Sequence, residues 1–216
     1  VADPESIGAR LKALGLELPQ GTRLLAVSKG HPAALIREAV AAGQLSFGES
    51  RLQEAVAKQR ELVDLPGLDW HFIGRLQANK VRAVLRAFGT IHSVDSLELA
   101  QRLARIAREE ELCPKVFYQV KLRPDPTKGG FDPRELTRCW PELRELAPLR
   151  NVGLMTMAPL GLRAEQRRLL FEECAALAGT LELEELSMGM SDDWREAAAA
   201  GSTWVRIGSA LFRSQH

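Results

Sequence analysis

Arg23-Leu24-Leu25-Ala26-Val27-Ser28-Lys29-Gly30-His31-Pro32 is an apolar run closed by a lysine, a glycine and a proline. The run predicts a β-strand over 23–28, and the Gly and Pro predict a loop leading into a helix. The turn also decides between two architectures. A doubly wound open sheet usually carries Gly-x-Gly-x-x-Gly after its first strand, and Ser28-Lys29-Gly30-His31-Pro32 has no such pattern. A closed barrel is therefore favoured, with Lys29 projecting from a strand's carboxyl end, where barrels do chemistry.

Outward from this unit, short apolar runs alternate with longer amphipathic stretches along the whole chain, the signature of βα units on a parallel sheet. Strands are expected at 23–28, 45–47, 69–73, 90–94, 115–121, 151–155, 184–187 and 203–207. Helices are expected at 32–42, 51–62, 79–87, 96–110, 133–146, 163–178 and 192–200. Pro32 and Pro133 suit first-turn positions, and Ser96 suits an N-cap. A further helix over 4–14 precedes the first strand. The fold class is α/β: one (β/α)8 TIM barrel with an additional N-terminal helix, spanning 1–216 as a single domain without linker or low-complexity segment.

Composition narrows the function. With 29 Lys plus Arg against 28 Asp plus Glu, the net charge of +1 gives no electrostatic case for nucleic acid or an anionic membrane. Cys113, Cys139 and Cys174 are widely spaced and odd in number, which fits reduced thiols in a cytoplasmic protein. The longest uncharged stretch, 151–162, is too short and too rich in Gly and Pro to span a bilayer. The start, Val1-Ala2-Asp3-Pro4, has neither the basic nor the apolar segment of a secretory signal. No Cys-x-x-Cys or paired-His spacing suggests a metal.

A strand-end lysine partly desolvated by a pocket can condense with an aldehyde to form a Schiff base; the bland alternative is a loop lysine in water. Near the C-terminus, Val205-Arg206-Ile207-Gly208-Ser209-Ala210-Leu211 reads as strand, glycine turn and helix start, which presents free N–H groups and a hydroxyl to a phosphate. Ser187-Met188-Gly189-Met190-Ser191-Asp192-Asp193 offers a similar device one unit earlier. Ser191 and Ser209 taken singly could be ordinary N-caps. Closure places strand eight beside strand one at about 4.8 Å, so the cradle lies next to Lys29. A ligand with a phosphate at one end, an aldehyde at the other and an aromatic ring between fits that gap, and pyridoxal 5′-phosphate is such a ligand. Arg206 alternates with Val205 and Ile207, so it points into the barrel with Trp204. It is either half of a structural ion pair or a donor to the pyridine nitrogen, which would keep that nitrogen unprotonated and weaken the ring as an electron sink.

These residues resemble those of the pyridoxal phosphate homeostasis proteins, a family of fold-type III barrels similar to the N-terminal domain of alanine racemase. The resemblance covers nearly the whole chain. It is carried by Ala26-Val27-Ser28-Lys29, Phe47-Gly48-Glu49, His71-Phe72-Ile73-Gly74, Leu76-Gln77-Ala78-Asn79-Lys80, Gly153-Leu154-Met155, the Ser187–Asp192 segment and Arg206-Ile207-Gly208-Ser209-Ala210-Leu211-Phe212. It implies an aldimine on Lys29, phosphate held by Ser191, Gly208 and Ser209, and Arg206 facing the pyridine nitrogen. Ser187, Met155 and His71 would line the ring pocket, although core packing for Met155 and a hydrogen-bonded core role for His71 stand as equal readings. The sequence departs from the family at Ser50, which replaces an Asn, around Lys128, a loop cation, and at Arg213, which replaces a Gly.

The function implied is a non-enzymatic, cytoplasmic carrier or regulator of pyridoxal phosphate, monomeric, with the small-molecule cofactor as its partner. A pyridoxal-phosphate-dependent racemase is the alternative. It needs a second acid/base on the opposite face of the substrate, a tyrosine from a partner subunit in alanine racemase. The only tyrosine here is Tyr118, early in the fifth strand and away from the rim. A third reading, a Schiff-base aldolase acting on sugar phosphates, predicts a colourless protein.

Overall fold

The computed structural model describes residues 6–212; the expected helix start at Pro4 and the Arg213 departure lie outside them. Eight parallel strands close into a barrel in sequence order: β1 Arg23–Val27, β2 Ser46–Glu49, β3 Asp69–Phe72, β4 Thr90–Val94, β5 Lys115–Gln119, β6 Arg150–Met155, β7 Glu185–Ser187 and β8 Trp204–Ile207. The closing pair is β1 with β8, where Ala26 is in register with Ile207. The expected barrel is thus observed, with strand limits shifted by one or two residues. β2 runs through Gly48 to Glu49 where the expected strand ended at 47, and Gly48 faces the barrel interior, where a Cβ would press on Leu25 and Ile73.

The helices are α1 Ile7–Glu17, α2 Ala33–Ala41, α3 Leu52–Glu61, α4 Val81–Ala87, α5 Leu97–Glu109, α6 Pro133–Leu143, α7 Ala164–Thr180, α8 Trp194–Ala199 and α9, described over Ser209–Phe212. A 3-10 turn, Ala78–Lys80, leads into α4. Ser96 caps α5 by accepting from the Leu99 N–H, and Asp132 caps α6 with Pro133 as its first residue. One expectation is corrected: Pro32 is the N-cap of α2, not a residue of its first turn. Ser6 caps α1, its hydroxyl accepting from the Ala9 N–H.

The apolar residues sort into two layers. Ala26, Phe47, Trp70, Phe72, Leu154, Val205 and Ile207 face the helices in the main core, whereas Leu25, Phe117, Met155 and Trp204 form a separate cluster inside the barrel. The period of two along each strand makes this division, and it fixes which polar side chains are enclosed. Tyr118 faces outward, its ring set edge-on to Phe131 and to Trp140 of α6 and its hydroxyl donating to Asn151 at 2.8 Å.

Candidate functional site

Lys29 follows β1 at the carboxyl end of the barrel, in a turn that Gly30 completes with φ of +77°. The lysine is exposed, so the partial desolvation expected for it is not observed. What is buried is the chain on its N-terminal side. Lys58 of α3, 5% exposed, donates to the Ser28 carbonyl (2.7 Å), to Glu49 (2.7 Å) and to Glu54 (2.6 Å). The Ser28 hydroxyl donates to the same Glu49 oxygen at 2.7 Å, and the Gly30 N–H donates to Glu54. The residues on both sides of Lys29 are thus tied to one ionic cluster between the barrel and α3. Burial pushes the Glu49 carboxyl above its ordinary range despite Lys58, and its second oxygen has no partner. Burial acts the same way on Glu54, but hydrogen bonds from Lys58 and Gly30 outweigh it and hold that group low.

Beside this turn stand the ends of β7 and β8. Ser191 and Ser209 bring their hydroxyls to 3.1 Å. Gly208 packs against β1 so closely that a Cβ would lie 2.8 Å from the Val27 carbonyl oxygen. Gly189, with φ of +89°, lets the preceding loop fold under α8, where a Cβ would lie 2.7 Å from that of Ala197. Ser191 does not start a helix as expected: Asp193 is the N-cap of α8 and accepts from the Met190 N–H. The His31 ring, two residues after Lys29, lies 5.2 Å from that of Phe212 in α9, the helix that Ser209 begins.

Arg206 is 4% exposed and points into the barrel. Its partners are neutral: NH1 donates to the carbonyl and hydroxyl of Ser187 at 2.6 and 2.7 Å, and NH2 to the Thr156 carbonyl at 3.1 Å. The structural ion pair weighed for it is not found among the described residues, and burial pushes its guanidinium down to about 10. Met155 is 2% exposed, within the interior cluster. Both ring nitrogens of His71 are engaged inside the protein, with Asp69 and His92 at 2.8 Å each, which is the hydrogen-bonded core arrangement. Lys128 is exposed on the loop after β5. Sequence reasoning missed His92, Asp69, Glu49 and Lys58. The signal was available in part: His92 and Asp69 fall on strands in the phase that points inward, and a buried polar group needs a partner.

The arrangement fits a small aromatic phosphate aldehyde. It offers paired hydroxyls, a glycine that admits close approach, an enclosed cation whose own partners are all neutral, and a primary amine on the neighbouring strand. Among the described residues no His, Cys, Asp and Glu cluster is set to hold a metal ion, and no helix is long and apolar enough to cross a membrane.

Residues 2–215 match the alanine racemase N-terminal domain. Pyridoxal phosphate homeostasis proteins of Synechocystis sp. and Pseudomonas aeruginosa are each 47% identical to the chain, over 201 and 197 residues, 90% of this chain and 92% and 85% of theirs. PipY of Synechococcus elongatus PCC7942, solved with PLP bound, is 51% identical with a TM-score of 0.92, over 95% of this chain and 99% of that one. Solved without PLP, it gives a TM-score of 0.94 at 52% identity over the same shares. An alanine racemase of Clostridium difficile 630 shares the fold at 17% identity, with a TM-score of 0.79 over 98% of this chain and 57% of its own. The chain therefore belongs to the pyridoxal phosphate homeostasis protein family, built on the barrel of the alanine racemase N-terminal domain.

Proposed function

We propose that this chain binds pyridoxal 5′-phosphate and serves its homeostasis, acting as one cytoplasmic, monomeric domain that holds the cofactor without turning over a substrate. The observation that carries the reading is Arg206, a buried guanidinium hydrogen-bonded to neutral groups only, on the strand that pairs with β1 and leads into Gly208 and Ser209. A buried cation is costly unless something uses it, and a pyridine nitrogen is an acceptor it can serve. Bound there, the cofactor supplies an aldehyde that condenses with a primary amine. Lys29 Nζ would be the amine that holds it. Ser191, Ser209 and the N–H groups beyond Gly208 hold the phosphate, and Met155 lines the floor of the ring pocket. Ser187 and His71 act on the ring through Arg206. A donor that is never a proton source leaves the ring nitrogen unprotonated, which suits storage more than carbanion chemistry.

The racemase alternative is disfavoured by Tyr118, the only tyrosine, which lies between the barrel and α6 with its hydroxyl committed to Asn151. The test is an absorbance spectrum of purified protein with added cofactor, before and after borohydride reduction, with mapping of the modified lysine. A yellow band trapped on Lys29 and lost in Lys29→Ala is expected. A protein that stays colourless would sink the reading, and robust racemisation or transamination of amino acids, lost in Lys29→Ala, would replace it with the enzyme.

A further inference from the structure

The barrel interior carries a continuous hydrogen-bonded chain. Asp69 Oδ2 meets His71 Nε2 at 2.8 Å, His71 Nδ1 meets His92 Nε2 at 2.8 Å, and His92 Nδ1 meets Ser187 Oγ at 2.8 Å. Ser187 Oγ accepts in turn from Arg206 at 2.7 Å. Asp69 begins β3 at the amino end of the barrel with its side chain 46% exposed, whereas Arg206 lies toward the carboxyl end of β8. The chain therefore crosses the barrel from one side to the other.

Its directions follow from counting protons. A carboxylate only accepts, so His71 Nε2 carries a hydrogen, and Asp69 is held below the usual carboxylate range first by this bond. Arg206 only donates, so Ser187 Oγ accepts from it and has its own O–H to place. If His92 donates from Nε2 to His71, its Nδ1 is free to take the Ser187 hydrogen and every group is satisfied. The reverse order requires an imidazolium at His71 inside the barrel, and turns His92 Nδ1 into a donor that leaves the Ser187 O–H without its acceptor. The rings are held in place by neighbours: His92 stacks on Phe117 at 4.3 Å, and His71 meets Trp204 edge-on at 4.9 Å.

We propose that Asp69, His71 and His92 are positioning residues for Arg206. The carboxylate fixes one tautomer on both imidazoles, this aims the Ser187 lone pair at the guanidinium, and the donor is thereby oriented from the far side of the barrel. The consequence for a pyridine ring rests on the function proposed above, but the relay itself does not.

The first test uses ligand-free protein labelled with 15N-histidine. Both His71 and His92 are expected as neutral rings protonated on Nε2. Asp69→Ala, a change at the rim of the barrel, is expected to abolish the single tautomer of His92 although Asp69 bonds to His71 and not to His92. A wild-type His92 protonated on Nδ1, or a His92 spectrum indifferent to Asp69→Ala, would overturn the proposal. In protein loaded with pyridoxal phosphate, Asp69→Ala is expected to weaken affinity about tenfold while borohydride still traps Lys29; unchanged affinity would remove the positioning role. Failure of the wild type to take up cofactor would refute the proposed function and leave the tautomer result to decide the relay.

Discussion

Lys58 donates to the carbonyl oxygen of Ser28 at 2.7 Å and so pins the residue that precedes Lys29. The same ammonium neutralises Glu49, whose side chain is fully enclosed. Removing one member of a buried ionic cluster strands the others, which costs more than the pair contributes while intact. Lys58→Met is therefore expected to lower unfolding free energy by about 3 kcal/mol. Glu49→Gln added to it is expected to cost less than the two losses summed, because the stranded carboxylate is gone. Urea denaturation of the two single variants and the double variant measures both quantities, and additive losses would show that the cluster is not a unit.

Arg206 presents the opposite balance. Its guanidinium is enclosed with hydrogen bonds to neutral groups only, and the nearby charge of Asp193 offsets burial in part, so an acceptor in the pocket would relieve the remaining desolvation cost. Arg206→Met, similar in reach and apolar, removes that cost but takes the donor from the Ser187 and Thr156 carbonyls, so the stability of the ligand-free protein is expected to change by less than about 1 kcal/mol. Its affinity for pyridoxal phosphate is expected to fall about tenfold. Thermal unfolding with and without cofactor separates the two effects. Equal loss of stability in both states would mean that Arg206 is chiefly structural.

Histidine burial sets a pH dependence. His92 is held well below its ordinary value, first by burial, with the positive charge of Arg206 acting in the same direction. As pH falls below about 6.5, the unfolded chain takes up a proton at this residue that the folded protein refuses, so stability drops on acidification by up to about 1.4 kcal/mol per pH unit. His31, lowered by burial and by Lys58, adds a weaker effect of the same sign. Glu49, raised by burial, works against it above the ordinary carboxylate range. The contribution of His92 is isolated by the difference between wild type and His92→Gln, measured as melting temperature from pH 7 down to pH 5. The variant is expected to show the shallower slope.

The eight-unit alternation was legible because each strand announces itself by a short apolar run, and closure followed from the turn around Lys29. Lys29, Arg206 and the Ser191–Ser209 pair were legible for the same reason: each sits at a strand end or in a strand phase that the alternation fixes. The interior relay was not, since Asp69, His71, His92 and Ser187 come from three strands and meet only after the barrel closes. The Lys58 cluster was hidden differently. Glu54 and Lys58 read as an ordinary i, i+4 pair on a solvated helix face, and only the packing of α3 on β1 and β2 encloses them.

Gly208 tests how closely the cradle depends on the seam between the first and last strands. It follows β8 where Ala26 of β1 is already paired with Ile207, and an added Cβ would lie 2.8 Å from the Val27 carbonyl oxygen and 3.1 Å from the Val27 Cβ. The first of these is backbone, which cannot rotate away as a side-chain end can. Relief must come from moving the end of β8 off β1, and Ser209 moves with it. Gly208→Ala is therefore expected to cost about 1–3 kcal/mol of stability. It is also expected to weaken binding of pyridoxal phosphate more than of pyridoxal, because the displaced groups are those set to meet the phosphate. Titration of the protein with both aldehydes reads the ratio. An equal loss for the two would mean that the phosphate lies elsewhere, while an unchanged ratio with unchanged stability would mean that the seam yields without strain.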